Sequence, residues 1–77
     1  MSNPSVIFGK IIAGLRQAAQ ISQEELADRA GIHRTYVSQM ERGLKSPTIV
    51  VLLKLSKALD TTPSKVMRLY EAATGGV

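Results

Sequence analysis

The chain has 77 residues, with ten lysines and arginines against six acids, one histidine and no cysteine. This length predicts one domain, 1–77, near the lower size at which a core holds a fold unaided, and without cysteine neither a disulfide nor a thiolate metal site can staple it. The net charge of +4 favours a polyanionic partner. No stretch approaches the roughly 20 apolar residues of a membrane span and no secretory leader opens the chain, so the expectation is a soluble, cytoplasmic protein.

Met1 to Asn3 reads as a frayed leader, with Asn3 or Ser2 as a cap and Pro4 suited to a first helical turn. A first helix then runs to about Ala19. Phe8, Ile12, Leu15 and Ala19 form its apolar stripe, widened by Ile7, Ile11 and Ala18. Gly9 and Gly14 each cost about 1 kcal/mol against alanine in a helix, which points to close helix packing at both. Ile21 fits the hydrophobic-staple position before a capping box, in which the Ser22 side chain accepts a backbone N–H and Glu25 reaches back. The second helix starts at about Gln23 and stops at Gly31, the residue that enters the left-handed region without a Cβ clash. A third helix spans about Arg34 to Glu41, with His33 near its N-cap, and ends at Gly43. Leu26, Ala27 and Ala30 then face Ile32, Val37 and Met40, while Arg34, Thr35, Ser38, Gln39 and Arg42 fall on the opposite side.

Pro47 disfavours helix at Ser46, and Thr48 caps a fourth helix from Ile49 to about Leu59. Ile49, Leu52, Leu55 and Leu59 are expected inward. Val50, Val51 and Leu53 make this helix apolar over more than one face, so it either fills the core or supplies a subunit interface. Asp60 and Thr61 end it, and Thr62-Pro63 restarts a fifth helix to about Ala72, with Val66, Leu69 and Tyr70 inward. Met67 and Tyr70 fit a dimer seam or the monomer core equally well. Residues 74–77 are expected to be flexible. With no strand pattern, repeat or charge block, the fold expected is all-α with five helices.

Catalysis is poorly supported. One imidazole, His33, no thiol, no metal-ligand spacing and no phosphate-binding glycine loop leave little to build it from, and Glu24 and Glu25 point about 100° apart on a helix. No cofactor is expected. The outward side of the third helix carries groups that hydrogen-bond base edges or phosphates and no acid that DNA would repel. Arg34 suits a guanine, Thr35 a thymine methyl or phosphate, and Ser38 and Gln39 base edges, Gln39 being apt for adenine. Tyr36, at the rim, suits either a phosphate or partial burial against the first helix. His33, Arg42, Lys45 and Ser46 suit the backbone. Gln23, at a helix N-terminus, suits a phosphate, while Glu24 and Glu25 must point away from DNA. A short helix, a glycine turn and a reading helix make a helix-turn-helix, residues 22–43.

The run SQEELADRAGIHRTYVSQMERG, with Leu15-Arg16 before it and Pro47-Thr48 after it, resembles the Cro/C1-type (lambda-repressor-like, XRE) helix-turn-helix regulators. The resemblance covers about Phe8 to Tyr70. HRTYVSQMERG is similar to the controller proteins of restriction-modification systems, and sporulation regulators and antitoxins carry similar words. The resemblance implies a partly buried salt bridge between Arg16 and Glu41 that fixes the angle between helices. It also implies a regulator of transcription, repressor or activator according to where its operator lies. One such domain reads few base pairs, so a homodimer on a pseudo-palindromic operator is expected, with half-sites about 34 Å apart. Val50, Val51, Leu53, Met67 and Tyr70 are the candidates for its interface. The alternative is a protein-interaction module, an antitoxin or transcription adaptor, whose mark would be acids on the reading face. So short a chain leaves little surface for a small-molecule effector. Only Lys10 and Arg16 are basic in the first helix, where the family often has more, which weakens the case for backbone contacts from it.

Overall fold

The structure, a computed structural model, describes residues 3–75. Within them the chain forms α1 (Pro4–Ala18), α2 (Gln23–Ala30), α3 (Arg34–Glu41), α4 (Ile49–Ala58) and α5 (Pro63–Ala73), and no strand. The helix starts follow local chemistry. Asn3 Oδ1 accepts the Ser5 N–H at 2.8 Å, Ser22 Oγ that of Glu25 at 3.0 Å, Thr48 Oγ1 that of Val51 at 3.2 Å, and Thr62 Oγ1 that of Lys65 at 3.2 Å. Asn3, expected in the frayed leader, is thus the N-cap of α1, and Thr74, expected to be flexible, is the C-cap of α5. Ser2, the other candidate cap, lies outside the described residues, as do the rest of the ends expected to be flexible at 1–2 and 76–77.

α1 packs on α3 and α5, α2 on α3 and α4, and α4 on α5. The core they enclose consists of Phe8, Ile12, Leu26, Ala27, Ala30, Val37, Met40, Leu55 and Val66. Two glycines permit its closest approaches. A Cβ on Gly9 would stand 2.2 Å from the Met40 carbonyl oxygen and 2.8 Å from that of Glu41, so only glycine lets α1 lie against the end of α3. Gly43, at φ 77°, turns the chain out of α3, and a Cβ there would meet Val6 Cγ2 at 2.6 Å. Gly14 differs: nothing lies within 4 Å of its would-be Cβ, so the close packing expected there is absent.

Four apolar positions depart from their expected faces. Ala18 and Ala19 end α1 in solvent, because the chain turns away through Gln20, a non-glycine residue at φ 60°. Ile49 is 77% exposed rather than inward, since the inner face of α4 is centred on Leu52, Leu55 and Leu59, and Ile49 lies about 100° away from it around the helix. Leu69 is likewise more exposed than expected, at the edge of a face that Val66 and Tyr70 turn inward. Val51, a candidate interface residue, is half-buried against the core, as is Tyr36.

Candidate nucleic-acid interface

α2 and α3 are joined by Gly31, which takes φ 68° and ψ 36° at the C-cap of α2. Its N–H and that of Ile32 close onto the carbonyls of Asp28 and Ala27 at 3.2 and 3.0 Å, satisfying the end of α2 while reversing the chain. His33 then occupies the N-cap of α3. Its imidazole makes no capping bond; the backbone carbonyl accepts Tyr36 and Val37 N–H at 3.0 and 3.2 Å. The ring is exposed.

α3 buries Val37 and Met40 and exposes Arg34 and Thr35, with Ser38 and Gln39 half-exposed one turn later. Arg42 and Lys45 are exposed beyond its end. Arg34, Thr35, Ser38 and Gln39 share one side of α3, opposite the buried Val37 and Met40. Tyr36 sits at the rim, and its hydroxyl donates to the Ser46 carbonyl oxygen at 3.4 Å. Ser46 also brings its hydroxyl against that of Ser5. The loop after α3 is therefore tied both to α3 and to the N-terminal turn of α1.

The back of α3 is held by a charged cluster. Arg16 Nε donates to Glu41 Oε2 at 2.7 Å and Nη2 to Oε1 at 3.0 Å, a bidentate pair whose side chains are only 15% and 6% exposed. Arg16 Nη1 adds a bond to the Ile21 carbonyl at 2.9 Å. Donation to the Glu41 carboxylate, together with its negative charge, holds the Arg16 guanidinium above its ordinary pKa, although burial pulls the other way. Gln23, expected on a phosphate, donates Nε2 to Glu41 Oε1 at 3.0 Å and so belongs to this cluster.

Two acids at the start of α2 behave differently from expectation. Glu25 does not complete the capping box; its carboxylate takes Arg29 Nε at 3.0 Å, one turn along the same helix. Glu24, expected to point away from the reading face, has its Oε2 3.4 Å from Arg34 Nη1. No periodicity signals this contact, because it depends on how α2 and α3 are set against each other. Leu44 and Ile49, 62% and 77% exposed, are surface apolar residues that no pattern in the sequence marks as such.

A glycine-hinged helix pair, buried on its inner sides and polar on its outer one, is the architecture of a DNA-binding helix-turn-helix domain. The family model described as helix-turn-helix, HTH_3, matches residues 12–66, and the chain belongs to that family. It is a family of DNA-binding transcriptional regulators and not a class of enzymes. Among relatives, the control protein C.SmaI of Serratia marcescens is 36% identical over 61 residues, covering 79% of this chain and 73% of that protein. MT0491, an HTH-type transcriptional regulator of Mycobacterium tuberculosis, is 43% identical over 51 residues, 66% of this chain, and the match spans only 36% of its length. The crystal structure of the restriction-modification controller protein C.AhdI from Aeromonas hydrophila superimposes with a TM-score of 0.78 at 42% identity, covering 80% of this chain and 94% of that one. The fold is thus a lambda-repressor-like helix-turn-helix domain. Among the described residues no helix is long and apolar enough to cross a membrane.

Proposed function

We propose that this chain binds duplex DNA sequence-specifically as a homodimer and regulates transcription from a pseudo-palindromic operator, as a controller of the restriction-modification type. The observation that carries the reading is the division of α3. Val37 and Met40 anchor it, and Arg34, Thr35, Ser38 and Gln39 stand on its open side within two turns, the reach of a recognition helix in a major groove. Arg42 and Lys45 follow as backbone contacts, with His33 at the entry and the Tyr36–Ser46 contact bracing the loop.

Dimerisation is supported by apolar surface on the last two helices. Val50 and Leu53, 59% and 51% exposed, share the outer side of α4 with Ile49, and Met67 is 42% exposed on α5. Met67 and Tyr70 line a shallow groove with Phe8 and Pro47, next to the start of α4. The interface in this reading consists of Val50, Leu53, Met67 and Tyr70 with Ile49 added, and Val51 supports it from behind. Regulation then follows the concentration of the dimer in the cytoplasm, with no small-molecule effector.

Selection of bound fragments from random duplexes tests the proposal. The expected product is an inverted repeat with half-site centres about 34 Å, one helical turn, apart. A protein that enriches no sequence, even at low ionic strength, does not do this work. An asymmetric single site would remove the dimer and leave the DNA binding.

A further inference from the structure

Glu24 and Arg34 lie ten residues apart in sequence, on the first turns of α2 and α3, with side chains 70% and 67% exposed and Oε2 3.4 Å from Nη1. In water so long and open an ion pair contributes little to stability. Its setting changes when the open side of α3 meets DNA, because both charges lose water and the field between them strengthens. A carboxylate left at that surface without a partner would face phosphates, and Arg34 is the partner the structure gives it.

We propose that Glu24 is a specificity-determining residue of this interface, acting through Arg34. The proposal rests on the DNA-binding reading above. A guanidinium has five N–H groups in a rigid fork. Donation from Nη1 to Glu24 leaves the Nε–Nη2 edge free, and one such edge spans O6 and N7 of guanine. A base edge carries no net charge and tolerates the carboxylate beside it. A phosphate oxygen in the same place does not, since it brings a second negative charge within reach of Glu24. Glu24 therefore lets Arg34 read a base while penalising its use as a general phosphate anchor. Random duplex, which offers Arg34 mainly phosphates, bears the penalty; the operator does not.

The test measures binding of the whole chain to its selected operator and to a scrambled duplex over a series of salt concentrations. Four proteins are compared: wild type, E24Q, R34A and the double variant. E24Q keeps the side-chain length and an acceptor for Arg34 but removes the charge. It is expected to tighten the scrambled duplex more than the operator, narrowing their ratio about tenfold, and to steepen the salt dependence on scrambled DNA by about one phosphate contact. In the R34A background the same substitution should shift both duplexes by one common factor. An unchanged ratio for E24Q overturns the proposal. So does a narrowed ratio that persists without Arg34, which would make Glu24 an independent repulsive charge. Thermal melting of E24Q should match wild type, and a large fall would assign Glu24 to the fold instead. If wild type itself fails to prefer any duplex, the DNA-binding reading fails first and takes this inference with it; a normal preference with an indifferent E24Q sinks only the inference.

Discussion

Arg16→Ala should be the most damaging single change to the charged cluster behind α3. The substitution leaves the Glu41 carboxylate, 6% exposed, with the Gln23 amide at 3.0 Å as its remaining donor in the cluster, where it had two further bonds from the guanidinium. Breaking a buried pair from one side costs about 3–5 kcal/mol. Because Gln23 stays in place, the lower end, about 3 kcal/mol, is the appropriate figure. The bond to the Ile21 carbonyl is also lost, but that carbonyl lies near the surface and water replaces the guanidinium. A domain of this size has about 4–12 kcal/mol in total, so the loss takes a quarter or more of it and should lower Tm by about 12–24 °C. Urea denaturation followed by circular dichroism reads the effect as a lower midpoint with an unchanged slope. A loss below about 1 kcal/mol would refute the argument, since it is what a solvated surface pair gives. Arg16→Met with Glu41→Leu should recover most of the stability, because no charge is then left unpaired.

Gly9→Ala should destabilise by about 3 kcal/mol, because the added carbon meets two backbone carbonyls that cannot give way. Gly14→Ala, with open space at that Cβ, should stabilise by up to about 1 kcal/mol; a thermal melt of each decides, and similar shifts would discard the distinction. Arg34→Ala should weaken operator binding by about 1–3 kcal/mol beyond any change on random DNA, and a uniform loss on every sequence would make it a phosphate contact. Lys45→Ala should reduce the salt slope by about one, measured by fluorescence anisotropy across a salt series. An unchanged slope would take it out of the footprint.

What the sequence made legible is what neighbouring residues decide. Ser22, Thr48 and Thr62 cap their helices, and Gly31 adopts the left-handed turn, because each of these features is a bond or a dihedral within a few residues. The Arg16–Glu41 pair spans 25 residues, so no local pattern signals it; only the family resemblance implies it, and in the structure the two side chains meet in a bidentate pair. Ile49 departs from the inward position expected of it because α4 is apolar over more than one face, so periodicity alone does not set which side turns inward. Gly9 and Gly14 are the same letter in the same helix, and only the backbone of Met40 and Glu41 opposite Gly9 separates a required glycine from a replaceable one. Glu24 suits the dipole of its own helix, which local sequence shows; its partner Arg34 stands on the next helix, which local sequence does not show.

The third helix has eight residues, too few to be stable alone, so its position is borrowed from its neighbours. Gly9 and Gly43 set how close α1 comes, Arg16 holds Glu41, and Ala27 lies buried beneath. None of these groups is among the outward residues of α3, yet together they set where Arg34 and Gln39 stand. The two jobs are therefore divided around one short helix: its back carries stability, and its front is left for the recognition proposed for it. Gln23 joins them, since it opens α2 beside Glu24 and spends its amide on Glu41. Under the DNA-binding proposal, any loosening of the cluster behind α3 shifts the outward side chains with the helix that carries them, which makes the charged anchor a determinant of orientation as well as of folding.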